Sequence, residues 1–389
     1  MMNRTGSKLP LSLYVHIPFC IKKCLYCDFL SANASEEVKN AYIGALVEEL
    51  DYWRDRIFGK YYIKTVFIGG GTPTCLSPRQ LLRIGEKLCE IISSDEMPFL
   101  EFTVEANPGT ITLSHIEVMK ELGVNRVSLG LQSAQDRELR ELGRIHSFQD
   151  FVKSYEMLRN YDFQNINVDL MADIPGQTLA SYHSTLEQVL ALRPEHISSY
   201  SLIVEEGTPF FQLQEEGKLS VPDEDTDREM YELTLAMLEG EGYQRYEISN
   251  YASDGKKCLH NLTYWKMGEY LGLGLGASSY LEGYRFKNVS DMEGYLRKQG
   301  DKRESKGHKL SKKEEMEEYV FLGLRMAEGI SLSDYKKRFG MDFKTIYAKT
   351  LDSMIKKCLL AESGNHDRIY LTSRGIDVSN VVLAEFLLD

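Results

Sequence analysis

The chain is short of several things, and each shortage excludes a class of protein. No apolar run approaches the about 20 residues that a membrane-crossing helix needs. Positive charge is in deficit, with 46 Lys and Arg against 58 Asp and Glu and a formal net charge of −12. That balance argues against a surface built for nucleic acid or another polyanion. Met1 to Pro10 carries no apolar signal core. Seven cysteines are an odd number, and three of them crowd into eight residues, which does not suit a disulfide framework. A reducing, cytoplasmic setting is the expectation. There is no internal repeat and no low-complexity segment.

What the chain has is length and rhythm. Its 389 residues suggest two to three domains with ample material for a core. Strand-like runs at 11–17, 64–68, 100–104, 125–129, 166–170 and 196–202 alternate with helix-periodic stretches at 36–57, 77–92, 114–122, 136–142, 148–160 and 178–192. Six strands at this spacing predict a parallel α/β sheet with right-handed crossovers. Polar and glycine-rich positions gather where the strands end, the face that carries chemistry in barrel-like folds. From about Asp223 the rhythm breaks. The reading divides the chain into an α/β barrel over 1–222, a connecting region over 223–300 and a polar, lysine-rich linker over 301–313. A mostly helical domain over 314–389 follows, with helices at 314–328, 332–339 and 345–360, a short strand at 368–371 and a last helix over 378–388.

The most informative stretch is His16-Ile-Pro-Phe-Cys20-Ile-Lys-Lys-Cys24-Leu-Tyr-Cys27-Asp-Phe29. The spacing C-x3-C-x2-C lets three thiolates converge on one centre. A structural zinc site normally has four protein ligands. His16 is a candidate fourth, but it sits in an apolar strand-like run. A cubane iron–sulfur cluster on three thiolates, with one iron open to an exchangeable ligand, explains the set better.

This stretch resembles the radical S-adenosylmethionine (SAM) superfamily, whose hallmark is this spacing with an aromatic residue, here Tyr26, before the third cysteine. The flanking Tyr14-Val-His-Ile-Pro-Phe-Cys20 and Tyr26-Cys27-Asp-Phe29 are similar to the branch that holds oxygen-independent coproporphyrinogen III oxidase and the HemW-type haem chaperones. The resemblance covers nearly the whole chain. It implies an open, partial (β/α)6 barrel of the TIM type, with a C-terminal winged-helix-like domain. It also implies a [4Fe–4S] cluster on Cys20, Cys24 and Cys27, with SAM on the open iron.

Four groups of residues are expected to hold SAM. Gly69-Gly-Gly-Thr-Pro73 ends a strand, and glycines let backbone groups approach a ligand closely. No Gly-Lys-Ser/Thr follows, so it is not a phosphate loop. Glu105, Gln132 and Asp169 each end a different predicted strand, and Arg144 follows the fourth. Carboxylates suit an ammonium or ribose hydroxyls, and an arginine suits a carboxylate. The resemblance assigns Tyr14, Tyr26, Gly70, Gly71, Thr72, Glu105, Gln132, Arg144 and Asp169 to SAM.

Two features choose within the branch. The oxidase pattern has a further cysteine two residues after the third, where this chain has Phe29. Its N-terminal arm is also longer than the 19 residues that precede Cys20 here. Both departures count against coproporphyrinogen III dehydrogenase activity, which stays as the alternative along with another radical SAM reaction. His260-Asn261-Leu-Thr-Tyr264-Trp265 matches the H-N-x-x-Y-W signature of the chaperones. By chemistry alone it reads as a core histidine beside a packed Tyr–Trp pair. The resemblance points His260, Asn261, Tyr264 and Trp265 at haem, with Cys258 close by. The implied function is a haem chaperone that passes haem to an acceptor protein, soluble or membrane-bound, without nucleic acid. Gly272-x-Gly274-x-x-Ala277 fits a dinucleotide fingerprint only formally and reads as a loop packed under the barrel. Cys75, Cys89 and Cys358 read as core thiols.

Overall fold

The computed structural model describes residues 8–92, 99–298 and 307–388. The first half alternates β1 (Leu9–Ile17), α1 (Glu36–Ile57), β2 (Tyr61–Gly70), α2 (Pro78–Ile92), β3 (Glu101–Ala106) and α3 (Leu113–Glu121). It continues with β4 (Arg126–Gln132), α4 (Asp136–Glu141), α5 (Phe148–Asn160), β5 (Ile166–Ala172), α6 (Leu179–Leu192) and β6 (His196–Ser201). β1 to β6 pair in parallel and in chain order. Alternate strand side chains are buried under the helices, and the fully buried Leu13, Val66, Phe102, Val127, Val168 and Ile197 sit in one continuous core. Local chemistry starts the helices: Thr112, Ser147 and Thr178 each close a capping box at the head of α3, α5 and α6.

Beyond β6 the sheet grows at both ends. α7 (Pro209–Glu215) and α8 (Glu224–Gly240) lead to the short antiparallel strands β7 (Gln244–Arg245) and β8 (Asn250–Ala252), which extend it beside β6. α9 (Leu259–Trp265) follows. β9 (Tyr270–Leu273) then pairs in parallel with β1, and β10 (Ser278–Leu281), β11 (Tyr284–Lys287) and, after α10 (Met292–Arg297), β12 (His308–Lys309) add on outside it. Among the described residues the sheet has 12 strands and stays open, with β12 and β7 at its edges.

Three sequence readings change here. The glycine stretch at 272–277 is the end of a sheet strand and its turn. A Cβ at Gly272 would lie 2.2 Å from the Ser278 carbonyl oxygen, so the glycine is there for close backbone packing. Residues 301–306 of the linker reading lie outside the described residues, and its next part, His308–Lys309, is an edge strand. Cys358 is exposed, where a core thiol was expected.

The C-terminal part has its own core, with Val320, Tyr335, Ile369, Val382 and Phe386 at its centre. It comprises α11 (Lys312–Gly323), β13 (Ile330–Ser331), α12 (Leu332–Phe339), α13 (Phe343–Ile346), α14 (Ala348–Lys356), β14 (Leu360–Glu362), β15 (Arg368–Leu371), α15 (Ser373–Asp377) and α16 (Ser379–Ala384). Helices packed on the three-stranded sheet β13-β15-β14 give the winged-helix-like arrangement. Among the described residues, no helix is long and apolar enough to cross a membrane.

Candidate functional site

The cysteine loop follows β1 and is held by backbone bonds at its base and middle. Cys20 donates to Ala32 O at 3.0 Å, and Ala32 donates back to Pro18 O at 3.0 Å. Midway, Leu25 N donates to Leu142 O at 3.0 Å, and Phe210 N donates to Leu25 O at 3.1 Å. Leu25 and Tyr26 pack on a small apolar cluster of Leu142, Met171, Ile174, Leu202 and Phe210. The loop is therefore shaped by the barrel rim beneath it.

The glycine run lies against this loop. Gly71 N donates to Ile17 O at 2.8 Å, and Thr72 N donates to Phe19 O at 2.7 Å. A Cβ at Gly71 would stand 2.7 Å from Phe19 O, so any side chain would push the two segments apart. Gly70 has φ +110° and donates its N–H to Glu105 Oε2 at 2.9 Å. Thr72 Oγ1 lies 3.5 Å from Cys20 Sγ and accepts from Asn107 Nδ2 at 2.7 Å.

The strand ends complete the ring. Arg144 donates to Asn107 Oδ1 at 2.8 Å and to the Gly130 carbonyl, and its Nη1 stands 3.6 Å from Cys24 Sγ. Its Nε is buried without a protein partner. Asp169 accepts from Asn167 Nδ2 at 2.7 Å and Ser128 Oγ at 3.1 Å. Tyr200 donates to Gln132 Oε1 at 3.0 Å. Burial, and then the Asp169 charge, push the Glu105 carboxyl up to about 8. Burial also raises Asp169 and the Cys27 thiol. Two carboxyls in one dry recess suit a ligand that brings positive charge or hydroxyl donors.

One cavity of about 280 Å³ joins these groups. Cys20, Cys24, Cys27, Tyr26, Gly70, Gly71, Thr72, Glu105, Gln132, Arg144 and Asp169 all line it. Sequence reasoning missed Asn107, Ser128, Gly130 and Tyr200, which share that lining. Asn107, Gly130 and Tyr200 lie at or near strand ends, and that placement was the available signal; Ser128 lies inside β4 and carried none. Tyr14 is the exception among the SAM candidates: its hydroxyl is 3.0 Å from His16 Nδ1, and it lines a neighbouring cavity. As they stand, no three His, Cys, Asp or Glu side chains among the described residues are set around a single metal ion. The soft three-thiol set, the cradle that admits only glycine and the unpartnered Arg144 Nε fit an iron–sulfur cluster with an anionic ligand beside it.

The H-N-x-x-Y-W residues form α9. Its first turn is capped by Glu101 of β3, which accepts from Leu259 N at 2.8 Å, His260 N at 3.0 Å and Cys258 Sγ at 3.5 Å. His260 is 1% exposed. Its Nδ1 is 2.9 Å from Thr65 Oγ1, and its Nε2 is 2.8 Å from Tyr264 OH. Both ring nitrogens are engaged within the protein, so this arrangement does not offer the imidazole to haem iron. Asn261 lines neither cavity. Tyr264 and Trp265 do line the neighbouring cavity, which measures about 760 Å³.

The comparisons agree with this geometry. The Radical SAM superfamily model matches residues 14–189, and the HemN C-terminal domain model matches residues 310–378. The heme chaperone HemW of Lactococcus lactis subsp. lactis (strain IL1403) is 38% identical over 380 residues, covering 98% of each chain. HemW of Bacillus subtilis (strain 168) is 38% identical over 384 residues, covering 97% of this chain and 99% of its own. Among solved structures, the radical SAM enzyme coproporphyrinogen III oxidase (HemN) from Escherichia coli aligns with a TM-score of 0.82. It does so at 22% identity, covering 98% of this chain and 90% of that one, a likeness of fold. Near-full-length identity to curated relatives, on a barrel whose cysteine loop and strand ends share one cavity, places this chain in the HemW haem-chaperone family of the radical SAM superfamily.

Proposed function

We propose that the chain is a haem chaperone that holds a [4Fe–4S] cluster on Cys20, Cys24 and Cys27, binds SAM beside it, and carries haem to an acceptor protein. The observation that supports this reading best is the single cavity lined by all three cysteines and by every SAM candidate except Tyr14. When bound, the cluster supplies an iron open to the amino and carboxylate groups of SAM. The protein's part is to place and shield. Arg144 presents fixed donors to a carboxylate, Glu105 and Asp169 accept from ammonium or hydroxyl donors, and Gly70 and Gly71 let the ligand approach the backbone. Phe29, where the oxidase pattern has a cysteine, favours carriage of haem over decarboxylation of a porphyrinogen.

The test is anaerobic reconstitution with iron and sulfide, then haem titration with and without SAM, then transfer to a haem-free acceptor. Iron near four per chain, haem binding and release to the acceptor are expected. Stoichiometric zinc without iron, or haem that never leaves the chain, would overturn the reading.

A further inference from the structure

We propose that the 760 Å³ cavity beside the cysteine loop is the tetrapyrrole site, and that it grips a flat macrocycle by its faces and its carboxylates. The inference deepens the function proposed above and rests on it. The cavity lies within the size range of small-molecule sites. Its walls come from β1, the cysteine loop, α9 and the strands that extend the sheet beyond β1. Tyr14, Phe29, Tyr264, Trp265 and Tyr270 supply ring surface. Two of these rings are fixed from behind. The Tyr264 hydroxyl bonds His260 at 2.8 Å, and Arg325 stacks 4.8 Å from the Trp265 ring centre. A rigid aromatic wall loses little entropy when a flat ligand settles on it. Phe29 is 61% exposed and lines both this cavity and the cluster cavity. A large apolar ring left in solvent at the junction of two cavities is a contact waiting for an apolar partner.

Charge narrows the ligand. Arg285 and Lys287 lie two apart on β11, so they project from one face of the sheet. Arg285 is held in place by Tyr270 OH at 2.8 Å and by a salt bridge to Glu318. Asp28 is the one acidic residue in the lining. A broad aromatic body that carries carboxylate matches the rings and these two cations, and haem has that chemistry. His260 has become a positioning residue in this scheme: it orients Tyr264 and is not itself in the lining. His16 is in the lining, but its ring nitrogens bond Leu30 O at 2.8 Å and Tyr14 OH at 3.0 Å.

The reconstituted full chain is titrated with haem and, in parallel, with metal-free protoporphyrin IX, which has the faces and carboxylates but no iron. The variants are Lys287→Glu, an exposed position, and Trp265→Ala, each checked by circular dichroism. Wild type should bind one macrocycle of either kind per chain. Lys287→Glu should raise the Kd of both about ten-fold, about 1.4 kcal/mol, and Trp265→Ala should weaken both. Should Trp265→Ala not fold, Lys287→Glu decides alone. Haem binding without porphyrin binding, or variants that bind both like wild type, would overturn the site and leave haem carriage standing. Wild type that binds neither would overturn both.

Discussion

Cys20, Cys24 and Cys27 are the proposed cluster ligands, and they share one cavity that Cys89 does not line. Changing any one to Ala should remove most of the iron after anaerobic reconstitution. Cys89→Ala should not, since Cys89 packs on the helical side of the sheet, with its thiol 3.5 Å from Leu122 O. Iron analysis and visible absorbance check this. His260 makes a second, independent prediction. Burial, and then the Arg126 guanidinium, push its imidazole down to about 3. The folded state therefore keeps it neutral, while the unfolded chain takes up a proton below about 6.5. Its contribution to stability is present above pH 6.5 and is lost as the pH falls towards 3. Between pH 6.5 and 5, cluster-free wild type should lose about 2 kcal/mol more than His260→Gln in urea unfolding. Equal losses would mean that the histidine is not buried neutral.

At the scale of elements, α9 is the piece that ties the barrel to the cavity beside it. Glu101 caps its first turn from β3, and its charge is felt by the buried Arg126. Glu101→Ala should leave two amide donors and the Cys258 thiol without their acceptor. A loss of about 2–3 kcal/mol in chemical denaturation is expected, more than a surface glutamate would cost. This cap was invisible in the sequence, because Glu101 and Leu259 lie far apart along the chain and no local pattern links them. The six parallel strands and their helices were legible, since each has its own periodicity and α1, α3, α5 and α6 each have a side-chain cap. β1 and α1 emerged within two residues of the expected ends. The glycine strand β9 was not legible. Its pairing with β1 is decided by space, and the sequence marks only a run of glycines that a turn would also explain. The cysteine motif and the SAM candidates could be read because spacing and strand ends are local facts. The engagement of both His260 nitrogens could not, because Thr65 belongs to a distant strand.

The molecule as a whole carries the fold of the coproporphyrinogen oxidase structure, and Phe29 stands where the resemblance puts a cysteine in the oxidase pattern. With Phe29 in place of a cysteine, the reconstituted chain, given SAM and a reductant, should release no decarboxylated product from coproporphyrinogen III. Repeated turnover above background by liquid chromatography would put the chain on the wrong side of that division. The barrel sheet, finally, is open, and an open sheet has two raw edges that could in principle template a neighbour. Among the described residues the outermost strands are β7 and β12, two residues each, and the exposed His308 and Lys309 occupy the second of them. So short a ladder offers a stray strand almost no rungs, and the charge of Arg245 and Lys309 discourages a flat approach. As far as the described residues go, the sheet therefore ends at both sides in strands too short and too charged to template a neighbour well.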